Sequence, residues 1–258
     1  MVNLASPVRL FQNEWTAART RWETSDPILY AAAPEVPVER LMEDTPTAFG
    51  ALARAIVHQQ VSIYAGRAIV GRLAAACGGE VDPAAVLRLA DEDLRSVGLS
   101  RQKSVYIRAL AKAAVAGLLE DVGREPEDEV VARLVALPGI GVWTAKMFCL
   151  FHLERPDVFS GDDLGLREAV RVLDGTAVAP TAAEAERRAE VWRPYRSVAA
   201  VVLWDLLRRT RATKLAGSFG SLGLPTGCEP RRPGSTGSRA KPVSWTDRVS
   251  SGRARWSR

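Results

Sequence analysis

A chain of 258 residues, 47% of them apolar, is long enough to bury a sizeable core in one large domain or two small ones. No apolar run approaches the roughly 20 residues that span a bilayer, and the first ten residues have no signal-peptide layout, so a soluble, cytoplasmic protein is expected. Three scattered cysteines (Cys77, Cys149, Cys228) and two histidines (His58, His152) supply neither a disulfide framework nor a four-ligand zinc or iron–sulfur site, so no metal or cofactor is expected.

The net charge of +5 is unevenly spread. Residues 212–258 hold nine Lys or Arg against Glu229 and Asp247, a net of +7, which leaves −2 for the first 211 residues. A polyanion partner would therefore be held locally, and partly by backbone amides.

From Asp26 onward, helix starts and stops follow one another. Asp26-Pro27, Thr45-Pro46 and Asp82-Pro83 each place a capping side chain before a proline, which is harmless at the first helical position because its N–H is missing anyway. Ser62, Asp91 and Ser100 are further N-cap candidates, and Gly78-Gly79 and Gly98 read as stops. Phe49, Leu52, Ala53, Ile56 and Val57 recur at helical spacing. Helices are then expected over 130–136 and 142–151, with 156–162 as an irregular connection. Thr181 and Glu184 form a capping box, and Val198, Val201, Val202 and Trp204 to Leu207 mark a late apolar helix. About ten helices and almost no sheet predict an all-α fold. After Arg211 the composition turns to Gly, Ser, Pro and Arg without periodicity, so 212–258 reads as a disordered basic tail beyond a helical domain of 1–211.

Leu137-Pro-Gly-Ile-Gly141 stands between two of these helices. Its glycines permit positive φ and close approach, and the following helix aims its first amides and the positive end of its dipole forward. The result is a helix–hairpin–helix able to hold a DNA phosphate; the competing reading is a plain tight turn. Twenty-two residues after Gly141 comes Asp163, in Phe-Ser-Gly-Asp-Asp-Leu-Gly-Leu.

Four blocks carry a family resemblance, in order, over about residues 25–210. They are Phe49-Gly-Ala-Leu-Ala-Arg-Ala-Ile-Val-His-Gln-Gln-Val-Ser62; Gly98-Leu-Ser-Arg-Gln-Lys103 with Tyr106-Ile107; the hairpin with Asp162-Asp163; and Trp192-Arg-Pro-Tyr-Arg-Ser197 leading to Trp204. The chain resembles the helix–hairpin–helix DNA glycosylases, the superfamily that includes endonuclease III, and within it the alkylpurine (3-methyladenine) DNA glycosylase II family in a compact form. The resemblance implies two helical lobes, the first and last helices forming one and about 45–155 the other, with a DNA- and base-binding cleft between them.

It also implies the activity. A nucleotide is flipped from double-stranded DNA containing a damaged base, since atoms inside a stack are unreachable, and its glycosidic bond is hydrolysed. Asp163 falls on the family's catalytic aspartate, there to oppose the developing sugar cation and orient water; Asp162 is the more structural of the pair. Trp143 occupies the position where backbone-cutting members place a lysine, which implies a monofunctional glycosylase that leaves an abasic site. Lys146, three residues on, is expected to face solvent or phosphate.

Trp143 and Trp204 are the expected base pocket, suited to cationic alkylated purines, although either indole can instead be a core residue. Met147 and Leu164 complete the pocket where the bacterial relative has tyrosines. Expected DNA contacts are Gly139, Ile140, Gly141 and Thr144 of the hairpin, a wedge at Gln60 or Val61, and Lys103, with Arg101 beside it; Arg196 and Ser197 support the cleft. A monomer without membrane attachment is expected. Two alternatives remain: a glycosylase for uracil, mismatched or oxidised bases, and a noncatalytic DNA-binding module, which the retention of Asp163 opposes.

Overall fold

The computed structural model describes residues 11–35 and 47–220. The Thr45-Pro46 cap and the chain from 221 onward lie outside these residues. Among the described residues there are twelve α-helices, two short 3-10 turns and no strand.

Most starts arise where the local chemistry demands them. Asp26 caps α2 (Pro27–Ala32), Ser62 caps α4 (Ile63–Ala76), Asp82 caps α5 (Pro83–Arg88), Ser100 caps α7 (Arg101–Val115), and the Thr181–Glu184 box opens α11 (Ala182–Ala189). Each cap contributes about 1 kcal/mol by satisfying an amide that the helix itself leaves unpaired. Two expectations shift. Thr47 caps α3 (Ala48–His58), its hydroxyl accepting from the Gly50 amide at 3.0 Å. Asp91 is not a cap but the first residue of α6 (Asp91–Ser96): the carboxylate that returns to the Ala90 amide is Asp93, while Asp91 pairs with Arg108 at 2.9 Å.

The helices pack as two lobes. In one, α3 rests on α4, α7 and α9 (Val142–Phe151), α5 and α6 rest on α7, and α8 (Glu127–Val135) lies against α9. In the other, α1 (Trp15–Ser25) packs on α2 and on the 3-10 turn Glu190–Trp192, and α10 (Leu164–Asp174) on α2 and α11. The chain thus leaves its first lobe, builds the second, and returns.

That return is held at one buried carboxylate. Asp26 accepts from the Leu29 amide, accepts from the indole of Trp192 at 2.7 Å, and pairs with Arg188 at 2.7 Å. Burial would raise its carboxyl, but the Trp192, Leu29 and Arg188 donors outweigh that and hold it below the ordinary value.

The 156–162 connection has no regular structure, as expected, yet it is tied throughout. The buried Ser197 hydroxyl accepts from the Val158 amide at 2.8 Å and donates to the Arg155 carbonyl at 2.6 Å, while Arg196 Nε meets Asp157 Oδ1 at 2.8 Å. Arg196 and Ser197 open α12 (Arg196–Gly220). This helix runs nine residues past the expected end of the ordered domain at Arg211. Ala212, Lys214, Leu215 and Ala216 are good helix formers, and extending an existing helix costs far less than nucleating one.

Candidate active site

Asp163 is the N-cap of α10, its Oδ1 accepting from the Leu166 amide at 2.7 Å. Two indoles from other helices reach the same carboxylate. Trp143, in the first turn of α9, donates its Nε1–H to Oδ2 at 2.7 Å, and Trp204, on α12, donates to Oδ1 at 3.3 Å. Three neutral donors therefore orient the carboxylate without cancelling its charge, which leaves the charge available to oppose a developing cation. Asp163 is only 8% exposed, whereas Trp143 is 46% and Leu164 74% exposed. The carboxylate is thus buried beside two exposed side chains, Trp143 and Leu164.

The loop before Asp163 is clamped from behind. Lys146 donates to the Phe159 carbonyl at 2.8 Å and pairs with Glu186 at 3.1 Å, and the same Glu186 oxygen accepts from the Gly161 amide at 2.9 Å. A side chain at Gly161 would strike the Ala182 carbonyl, its Cβ only 2.3 Å away. Lys146 is thus turned inward, not toward solvent or phosphate as expected, because Glu186 and a buried carbonyl lie in its path.

The hairpin sits at the other end of the same first turn. Gly139 has φ +86, and a Cβ there would overlap the Tyr106 ring at 2.3 Å. Gly141 differs: its φ is −92 and nothing lies within 4 Å of where its Cβ would be. It is exposed and caps α9 with no side-chain acceptor, so the first amides of α9 face open space. The open N-terminus of α9 and Asp163 are thus linked through Val142 and Trp143.

A family model for HhH-GPD superfamily base excision DNA repair proteins matches residues 53–194. The chain belongs to this superfamily. Among similar proteins, DNA-3-methyladenine glycosylase 1 of Schizosaccharomyces pombe is 32% identical over 168 residues, 63% of this chain and 74% of that protein. A solved structure of 3-methyladenine DNA glycosylase from the same yeast, in complex with abasic DNA, superposes with a TM-score of 0.65 at 28% identity, covering 73% of this chain and 95% of that one. The DNA-3-methyladenine glycosidase of Bacillus halodurans superposes with a TM-score of 0.67 at 32% identity, covering 83% of this chain and 95% of its own.

Within this HhH-GPD domain the expected site residues divide. Asp163, Trp143, Trp204 and Leu164 come together. Met147, one turn after Trp143 on the same helix face, is only 8% exposed and packs into the core. Thr144 and Ile140 are buried, and the Ile140 amide donates to Leu137 O at 3.2 Å, so both side chains pack inside the hairpin.

Lys103 is likewise reassigned. Its ammonium donates to the carbonyls of Val57 and Gln59, 2.7 Å each, closing the C-terminus of α3, and partial burial lowers its pKa from the usual lysine value. The junction it holds carries Gln60, exposed and in the left-handed region at φ +55, a conformation that costs a non-glycine residue about 1 kcal/mol. Val61 is half-buried.

Reading the sequence missed Gln59, whose side-chain amide donates to the Gly139 carbonyl at 2.9 Å and ties this junction to the hairpin. It also passed over Gly165, whose only signal was its place in Asp-Asp-Leu-Gly-Leu.

Proposed function

We propose that the protein is a monofunctional DNA glycosylase that flips alkylated purines such as 3-methyladenine from double-stranded DNA and excises them hydrolytically, leaving an abasic site. The observation that carries this reading is Asp163, a buried carboxylate whose donors among the described residues are all neutral, one of them the exposed indole of Trp143 in the first turn after the hairpin. The names of the similar proteins support the substrate class.

The chemistry follows from that arrangement. Amides around Gly141 and the start of α9 grip a phosphate beside the lesion, and Gln60, held out from a rigid junction, fills the gap left by the flipped nucleotide. The extruded base lies against the Trp143 indole, whose face attracts a cationic ring by roughly 0.5–2 kcal/mol. As the C1′–N bond breaks, its electron pair leaves with the purinium, which departs as a neutral base and so needs no general acid. The positive charge that grows at C1′ is opposed by Asp163. Water bonds to C1′, its proton passing to the carboxylate and then to solvent, which yields the abasic sugar.

No lyase step is included. Trp143 stands where a Schiff-base lysine would be, and Lys146 Nζ is engaged by Glu186 and Phe159. One chain carries the whole site, so a monomer suffices.

The test is release of free base from duplexes containing 3-methyladenine, 7-methylguanine, uracil or 8-oxoguanine. Alkylated purines are expected to be released by the wild type and at least about a hundredfold more slowly by Asp163→Asn. Release of uracil or 8-oxoguanine alone would overturn the substrate class, no release from any duplex would overturn the activity, and borohydride trapping of a covalent DNA complex would overturn the monofunctional assignment.

A further inference from the structure

Trp204 is placed to do something other than stack on a base. One face of its indole is already taken by Phe151, at 5.6 Å between ring centroids and 20° between planes. Its edge points at Asp163, with Nε1 3.3 Å from Oδ1. What admits this edge is Gly165: a Cβ there would sit 3.0 Å from Oδ1 and 3.3 Å from the Trp204 nitrogen, tighter than such contacts ordinarily allow. Glycine one residue inside a helix weakens that helix, so its value here lies in the passage it leaves.

A carboxylate has about four acceptor positions. On Asp163, Oδ1 is filled twice, by the Leu166 amide and by Trp204, while among the described residues Oδ2 accepts from Trp143 alone. We propose that Trp204 is a positioning residue: its indole N–H, admitted by Gly165, holds Oδ1 so that Oδ2 is the oxygen turned toward the sugar carbon and the attacking water. Trp204 then serves the rate through its N–H more than affinity through its ring. The inference rests on the reading of Asp163 as the catalytic carboxylate.

The deciding variant is Trp204→Phe, which keeps an aromatic ring against Phe151 and removes the N–H. Two quantities are compared: the single-turnover rate of base release from a 7-methylguanine duplex, and the Kd for a duplex carrying a stable abasic analogue. The rate is expected to fall roughly ten- to a hundredfold, the worth of one hydrogen bond to a charged group, with Kd within about twofold and the melting temperature nearly unchanged. Gly165→Ala is expected to reproduce the rate loss, and the double variant to be no slower than the slower single variant, because both act through one contact.

A Trp204→Phe rate equal to wild type, or parallel losses of rate and affinity, overturns the positioning role and makes Trp204 a pocket wall. A wild-type protein that releases no base overturns the function proposed above and the rate role with it. An active wild type with an unimpaired Trp204→Phe overturns only this inference.

Discussion

The two glycines of the hairpin separate folding from binding, and alanine at each exposes the difference. At Gly139 the backbone is left-handed, φ +86, which costs an L-residue roughly 1–2 kcal/mol. The new Cβ would also overlap the Tyr106 ring at 2.3 Å, and small-to-large changes in packed surroundings cost about 1–3 kcal/mol. Together Gly139→Ala should lose about 2–5 kcal/mol, a fall in Tm of roughly 4–20 °C for a chain of this size. The shift should also disturb the Gln59 bond to Gly139 O, and with it the junction bearing Gln60.

Gly141→Ala meets neither obstacle, since φ is −92 and the space around its Cβ is open. The poorer N-cap and the lower unfolded-state entropy of alanine offset one another, so stability should change by no more than about 0.5 kcal/mol. That Cβ enters the space assigned to phosphate, however, and affinity for a duplex with an abasic analogue should fall at least about fivefold. Urea unfolding and fluorescence anisotropy measure the two quantities. A Gly139→Ala protein as stable as wild type, or a Gly141→Ala protein that binds DNA normally, would refute the division of labour.

Two further outcomes test the scaffold. Asp26 has a lowered carboxyl pKa, so its contribution is complete above the unfolded value of 3.8 and is lost as pH falls through the folded one; Asp26→Asn should be less stable than wild type at pH 7, with the gap narrowing below pH 3.8. A gap that stays constant in urea titrations from pH 7 to pH 3 would contradict the Trp192–Arg188 account. Burial pushes the Cys149 thiol up to about 11, so in the folded protein at pH 8 it should resist iodoacetamide that labels an unfolded control; mass-spectrometric detection of equal labelling would sink that reading.

What the sequence determined by itself is local. The caps at Asp26, Ser62, Asp82, Ser100 and Thr181 were legible because a cap and its amide are three residues apart, within reach of any short-range reading. The hairpin was legible for the same reason, while the spacing to Asp163, twenty-two residues on, took its meaning from the resemblance to a known family.

What only the tertiary structure decided is which distant groups meet. Lys103 reads in the sequence as a candidate phosphate contact or an exposed charge, yet the fold delivers two carbonyls from 44 and 46 residues away, and an ammonium near such carbonyls is most stable bonded to them. Lys146 turns inward because Glu186, 40 residues on, neutralises it behind the active loop. Gln59 and Gly139 are 80 residues apart, and Asp26 and Trp192 166. Trp204 and Asp163 are 41 apart, and only the packing of α12 across α10 at Gly165 shows that the indole presents its N–H to the carboxylate. Sequence patterns encode helix faces and their ends; the partner of a polar atom depends on how those faces cross, which no local pattern contains.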